Sequence, residues 1–491
     1  MRRFILPAVV LAIAITASVL AGSANDSAEP DDPADDTTTA SLATPLLSLR
    51  RTPEWLRQPT TSNLLDTAVR RPVDAVGDAG AVCLSVHVNG ESITEVASDL
   101  PFTAGEVQRL LTVAAIDNVG TRPFTTEVVR APDALIDEEG VLQGDLWLIG
   151  EADPVLSTNT FVSTFDDGRA FTSMEELALT AAAVLLDEGI TAISGGVVGV
   201  DSKYEGSPQV YGDATWSDAE VQSGVVGVTS GLLVNNGIVN PETAADLPTN
   251  VRTTDAPVHA ADEFAAMLRF AGIDVRAGST SGDAPAAASR LSVASIESPP
   301  MSEIARRALI DGTTAEMLWR EVAVRGGGST NDLFDVLGGV NEALIELGLL
   351  EQDEAGNFPK FDGSGLSLLS KARCATLTGT LDPSSSTLTA DSLPAAADSP
   401  IAACAPSTLD SLHVLAAARP EVTSMAGRAV ASNGDVITFS AIANWLPTED
   451  GTLAAQSVCD GLLPSVLDAI AQHPAGPGID ELTPLDPVPA P

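Results

Sequence analysis

Residues 81–98 (AVCLSVHVNGESITEVAS) alternate apolar and polar side chains on either side of Asn89-Gly90. Period-two alternation sends one set of side chains to a buried face, and Asn-Gly tolerates the positive φ of a two-residue turn, so the stretch reads as a β-hairpin. A hairpin cannot stand alone in water, so the rest of the chain must supply more strands and a cover. The cover begins at once: EVQRLLTVAAIDNV (106–119) follows a helical period, with Leu110, Leu111, Val113, Ala114 and Ile116 on one side. The further strands come late, as SLHVLAAA and DVITFSAIAN within 408–444, before a closing helix at 454–471. Between them, residues 130–290 alternate strand-like runs (VLQGDLWLIG, ISGGVVGVD, GVVGVTSGLLVNNG) with helical ones (EELALTAAAVLLDEG, AADEFAAMLRFAG) and read as an inserted domain. Helical patterns return at 301–324 and 330–350.

At 491 residues the chain is too long for one ordinary core and implies two or three domains. Its net charge of −42 repels phosphate backbones and anionic headgroups, which argues against nucleic acid as a partner. Residues 1–24 have the layout of a secretory signal: Arg2 and Arg3, an apolar run from Phe4 to Leu20, then Ala21-Gly22-Ser23-Ala24. The alternative is an uncleaved signal anchor, the only membrane attachment this reading allows. The acidic, Pro/Thr-rich residues 25–46 read as a disordered spacer, LSLRRTPEWLRQP (47–59) as a docking segment, and together 25–75 form the lead-in. The Pro-rich residues 473–491 read as a disordered tail. The expected location is outside the cytoplasmic membrane, in the cell envelope or secreted, where four cysteines would be oxidised; three pairings are possible.

Specific strings then narrow the fold. Residues 144–157 read GDLWLIGEADPVLS and residues 362–367 read DGSGLS, with SPPMSEIARRAL (298–309), AEMLWR (315–320) and GGGST (326–330) between them. In this order they resemble the D-alanyl-D-alanine carboxypeptidase/endopeptidases, the class C low-molecular-mass penicillin-binding proteins, from about Cys83 to about Asn444. The resemblance implies an α/β (α+β) fold. Its transpeptidase-like domain would have an antiparallel sheet flanked by helices and be made of residues 76–125 and 292–472, with a β-rich insertion at 126–291. It also implies three short motifs: S-x-x-K for nucleophile and base, S-x-N for a proton relay and substrate amide, and K-T-G for the substrate carboxylate.

S-x-x-K and K-T-G are absent, and the S-T-N triplet Ser329-Thr330-Asn331 belongs to the GGST helix start, where it reads as a chance match and an N-cap. The chain has three lysines, Lys203, Lys360 and Lys371, preceded at i−3 by Val200, Asn357 and Leu368 and followed by Tyr-Glu, Phe-Asp and Ala-Arg. No S-x-x-K or K-T-G can therefore exist. Leu110-Leu111-Thr112 set the register of the first motif, which places Glu106 at the serine and Arg109 at the lysine. A guanidinium stays protonated and cannot serve as a general base. At i, i+3 the two would form a helix-surface ion pair. Ala315-Glu316 set the second motif, placing Ile310 at its serine and Gly312 at its asparagine. Thr408-Leu409 set the third, placing Ala405, Pro406 and Ser407 on the strand edge that should meet substrate, where proline removes a donor.

Within DGSGLS, Asp362 and Ser364 are candidates for lining the cleft. Cys374 and Cys404 flank a Ser/Thr-rich loop and are the favoured pair, leaving Cys83 with Cys459; the resemblance supports this because it implies that the first strand and terminal helix are neighbours. The histidines (His87, His259, His413, His473) show no metal spacing and no triad signature, so neither metal nor cofactor is expected. The leading expectation is an exported, catalytically inactive homologue that binds peptidoglycan stem peptide or a cell-wall assembly protein. The alternatives are an active carboxypeptidase/endopeptidase with a non-standard site, and a structural envelope protein without ligand.

Overall fold

The computed structural model describes residues 54–165, 168–204, 216, 225–241, 251–330, 333–351, 362–406, 411–447 and 457–474. The segments read above as signal and spacer, the tail beyond 474, and Ser407 lie outside the described residues.

The main sheet has five antiparallel strands in the order His413–Ala418, Val422–Val430, Val436–Trp445, Gly80–Val88, Glu91–Val96. The hairpin turn is as the sequence demands, with Asn89 at φ 53° and Gly90 at φ 81°. Strand alternation divides the core in two. Cys83, Leu415, Val422, Ala426 and Ile442 face one side, where they join residues of the helices Arg109–Val119, Met301–Ile310, Gly312–Arg325 and Leu333–Glu346. Leu84, Val86, Val414, Met425 and Phe439 face the other, against Leu65, Val69 and Val73 of helix Glu54–Val76 and Leu463, Val466 and Ile470 of helix Leu462–Ala471. Helix Glu54–Val76 thus takes up the end of the docking segment 47–59 and the remainder of the lead-in to residue 75.

A second five-stranded sheet is ordered Thr280–Ser281, Val197–Val200, Leu146–Gly150, Thr125–Arg130, Leu291–Glu297. The strands by which the chain enters and leaves this unit, Thr125–Arg130 and Leu291–Glu297, pair antiparallel with each other. That pairing lets a long excursion return close to where it began. Helices Met174–Asp187 and Ala256–Phe270 cover the sheet through Leu177, Ala181, Leu185, Phe264 and Leu268.

Three local expectations change. Residues 225–237, apolar enough to suggest a strand, form no ladder; Asn235, Asn236 and Gly237 take consecutive positive φ, and backbone donors there go to side chains instead, Gly227 N to Thr313 Oγ1 (3.0 Å) and Gly231 N to Asp201 Oδ1 (2.6 Å). The helical pattern 301–324 breaks at Asp311, whose backbone is extended and whose carboxylate accepts from Thr314 N as an N-cap. His473, assigned from sequence to the tail, is buried, with Nε2 3.0 Å from Asp435 Oδ2.

The expected disulfides Cys374–Cys404 and Cys83–Cys459 are both wrong. The bonds are Cys83–Cys374 and Cys404–Cys459. Strand parity is the reason. Cys83 points, unlike Leu84 and Val86, to the side that holds helix Cys374–Thr380, whereas Cys404 packs on the opposite side with Val458 and the terminal helix. Non-reducing peptide mapping will recover these two linked pairs; a Cys374–Cys404 peptide would refute the assignment. Replacing Cys83 and Cys374 together by serine should cost about 2–5 kcal/mol, read from chemical unfolding.

Candidate functional site

The site is the place where the three motifs of the resemblance would meet. Gly105–Gln108 forms a 3-10 turn and Arg109 opens the helix Arg109–Val119. Glu106 and Arg109 do not bond each other as expected. Glu106 Oε1 lies 3.1 Å from Nε of Arg419, which follows strand His413–Ala418. The Arg109 side chain turns inward and is buried; its Nε donates to the Ser364 carbonyl (2.7 Å) and its Nη1 to the Leu309 carbonyl (3.2 Å). Burial lowers its pKa, opposed by the nearby charges of Glu106, Asp311 and Asp362.

Gly312 forms part of the floor of this arrangement. A Cβ built on it would lie 2.8 Å from Val226 Cγ2 and 3.6 Å from Arg109 Nη2, so an asparagine here would have to displace the Val226 side chain. Val226 belongs to the inserted unit and forms a small apolar cluster with Trp216 and Leu366. Ile310 points elsewhere, with 42% of its surface exposed. Between them Asp311 caps the next helix; burial pushes its carboxyl up, but Arg307 (3.1 Å) and the Thr314 N–H hold it below the usual carboxylate range.

Asp362 and Ser364 do not line an open cleft as expected. Asp362 is 1% exposed and Ser364 0%. Asp362 Oδ1 accepts from Gln108 Nε2 (2.7 Å) and Ser370 Oγ (3.0 Å). Its Oδ2 accepts from Ser364 Oγ (2.6 Å), Leu366 N (2.7 Å), Trp216 Nε1 (3.0 Å) and Ser367 N (3.1 Å). Glu316 Oε2 accepts from Gly363 N (2.9 Å) and Ser364 N (3.2 Å). The loop packs so tightly that a Cβ at Gly363 would stand 2.5 Å from the Ala315 carbonyl, and one at Gly365 (φ 85°) 2.5 Å from the Gly105 carbonyl.

Ala405 and Pro406 directly follow a turn at 401–404 and do not lie on the sheet edge expected for them. The strand begins at His413, and Ala405 packs on the side of the terminal helix. The Cys404–Cys459 bond holds this turn there. The strand itself packs against the Gly105–Gln108 turn.

Two hydroxyl arrangements were not anticipated. Lys371 Nζ lies 2.5 Å from Thr103 Oγ1, an alignment set by the antiparallel pairing of Lys371 with Thr103, and burial lowers the lysine's pKa. The Thr103 hydroxyl donates to the Leu368 carbonyl (3.0 Å). Ser85, His87 and Glu95 also cluster on the hairpin, but the same His87 Nε2 faces both Ser85 Oγ (3.4 Å) and Glu95 Oε1 (3.0 Å). A triad needs the two partners on opposite ring nitrogens, so this is not one. Among the described residues no three His, Cys, Asp or Glu side chains are placed to hold a metal ion, and no helix is long and apolar enough to cross a membrane.

Glu316 offers a direct test of the buried loop. Burial and the Asp362 charge push its pKa from 4.5 up to about 7. The folded state therefore holds the proton more tightly than the unfolded state, and this stabilisation is complete below about 4.5 and lost as pH rises through about 7. Glu316→Gln keeps an acceptor for the two N–H groups and cannot ionise. Between pH 5 and 8 it should lose less stability than the parent chain, by on the order of 3 kcal/mol in urea unfolding. Asp153, raised to about 6 by burial, titrates in both proteins, so some decline remains. Equal slopes for the two would refute the assignment.

Comparison with known proteins gives the arrangement a context. The model of the D-Ala-D-Ala carboxypeptidase 3 (S13) family matches residues 64–247 and 232–463. No curated protein matches the chain. Penicillin binding protein 4 (dacB) from Haemophilus influenzae is similar in structure, with a TM-score of 0.63 at 16% identity over 82% of this chain and 98% of that one. The same protein complexed with a novel beta-lactam gives a TM-score of 0.58 at 15% identity over the same shares. At these identities the likeness establishes the fold, a mixed α/β architecture of the penicillin-binding type.

Proposed function

Because the chain belongs to the D-Ala-D-Ala carboxypeptidase 3 (S13) family but holds Glu106 and Arg109 where that family resembles S-x-x-K, we propose that it is an exported member that no longer acylates and acts by binding. The observation that carries this reading is the Arg109 guanidinium, buried and bonded to the Ser364 and Leu309 carbonyls in the space a lysine base would need. It cannot take a proton from a hydroxyl, and the side chain beside it at Glu106 is a carboxylate held by Arg419. Gly312 carries no amide, and a side chain there would have to displace Val226, which supports the same reading. The ligand on this reading is peptidoglycan stem peptide or a protein of wall assembly. Export accords with the signal-like residues 1–24 and with two disulfides.

One arrangement favours a second reading, acyl transfer from Thr103 with Lys371 as base, outside the three motifs. It has a hydroxyl and an amine in contact, as nucleophile–base pairs require. Against it stand the burial of Thr103 and the commitment of its hydroxyl proton to Leu368.

A single experiment separates the two. The purified chain is incubated with fluorescent penicillin, beside an active family member, and release of D-alanine from a muropeptide is followed in parallel. No covalent band and no D-alanine are expected. A band lost in both Thr103→Val and Lys371→Met would sink the binding reading and establish the second; a band mapping to any other hydroxyl would sink both.

A further inference from the structure

The two disulfides differ in what shields them. Cys83 and Cys374 are both 0% exposed and sit in the layer between the main sheet and its helices. Cys404 and Cys459 are only half-buried, and Cys404 packs at the rim of the opposite layer. Their neighbours on both stretches are exposed: Ala402 and Ala403 on one, Ser457 and Asp460 on the other. Exchange requires an attacking thiolate to reach a sulfur, so access decides which bond reacts in the folded chain. The inner bond must wait for the core to open, whereas the outer one need not.

The outer bond also restrains a particular segment. It joins residues 55 positions apart, and the ring so closed holds His413–Ala418, Val422–Val430 and Val436–Trp445, three strands of the main sheet. The segment before Cys404 lies along the start of the edge strand: Ala396 N donates to the Leu412 carbonyl (2.9 Å) and Val414 N to the Pro394 carbonyl (2.9 Å). Beyond Ala396 its hold is slight. Among the described residues, the backbone of 397–405 bonds only within 395–405. Ile401, fully buried, anchors this stretch by packing, and the Cys404–Cys459 bond anchors it covalently. Pro394, Ala395 and Asp398 of the same segment line an open cavity of about 370 Å³ together with Arg306, Arg307 and Ile310. Loosening the segment therefore changes both the strand edge and that cavity. The reduced form is already accommodated. The Ile401 carbonyl lies 3.3 Å and the Val458 carbonyl 3.9 Å from Cys404 Sγ, so a thiol formed there has an acceptor in place.

We infer that Cys404–Cys459 is a thiol–disulfide exchange site and acts as a latch on residues 394–406. Its co-reactant is a dithiol. One thiolate of the dithiol attacks a sulfur of the pair, the S–S bond breaks, and the other cysteine leaves as a thiolate and takes up a proton. The second thiol then closes the co-reactant's own disulfide and releases the first cysteine, which is protonated in turn. Two electrons and two protons pass to the protein, and Cys83–Cys374 stays oxidised. The latch uses none of Glu106, Arg109 and Gly312, and it requires neither acylation nor the binding reading proposed above.

The test is stepwise reduction of the folded full chain with dithiothreitol, followed by alkylation and peptide mass mapping. Cys404 and Cys459 should be labelled at a dithiothreitol concentration at least about tenfold below that needed for Cys83 and Cys374. In the selectively reduced chain, amide hydrogen exchange should quicken about tenfold or more across 394–414 and stay unchanged in Gly80–Val88, and oxidised dithiothreitol should restore the protection. The double variant Cys404→Ser, Cys459→Ser should exchange fast across 394–414 with or without reductant. If that variant does not fold, reduction of the native chain decides the matter alone. Labelling of both pairs in one step, prior reduction of Cys83–Cys374, unchanged exchange across 394–414 after selective reduction, protection that reoxidation does not restore, or a folded double variant as protected as the oxidised chain would each overturn the inference. Penicillin labelling of either sign leaves these outcomes unaffected, so the two ideas can fail separately.

Discussion

The Asp362 carboxylate is the point at which three separate stretches of chain are joined. It takes hydrogen bonds from Gln108 at the start of the first core helix, from Trp216 of the inserted unit, and from Ser364, Leu366, Ser367 and Ser370 of its own loop. A buried carboxylate is tolerated only when its lone pairs are so filled, and each donor would be left unsatisfied without it. Glu316 does the same work from beneath, accepting from Gly363 and Ser364. Together the two acids clamp the loop onto helix Gly312–Arg325, at a distance that only glycine at 363 permits, and onto the Gly105–Gln108 turn, at one that only glycine at 365 permits.

That clamp explains how a large cation can live inside the site. A buried guanidinium needs acceptors, and the clamped loop offers the Ser364 carbonyl while the end of helix Met301–Ile310 offers that of Leu309. Arg109 is thereby a structural strut between two elements. Gly312 lies beside it and gives Val226 its place, since a Cβ at 312 would stand 2.8 Å from Val226 Cγ2, and Val226 clusters with Trp216 and Leu366.

Local chemistry was legible in the sequence wherever a single residue type decides the outcome. Asn89-Gly90 could only be a tight turn, and the hairpin alternation assigned Leu84 and Val86 to one face and Cys83 to the other. The strings around DGSGLS led to the correct fold class. Where the sequence misled, it did so through distance along the chain. Cys374 and Cys404 are near in sequence but lie on opposite sides of the main sheet, while Cys83 and Cys374 are 291 residues apart and bonded. Thr408-Leu409 gave a register for Ala405 and Pro406 but no indication that the strand would start only at His413. The Arg419 partner of Glu106 lies 313 residues away, and no short-range pattern announces it.

Residue identity alone settled which motifs are absent: three lysines, none in a motif, leave no S-x-x-K and no K-T-G, whatever the fold. Periodicity settled which segments bury a face, because burial on one side of a helix or strand must repeat with its pitch. Packing decided the rest. Cysteine partners, the inward turn of Arg109 and the burial of Asp362 all depend on which layer a side chain faces and what lies opposite. Those are relations between residues far apart in the chain, set when the two faces of the main sheet are covered by different helices.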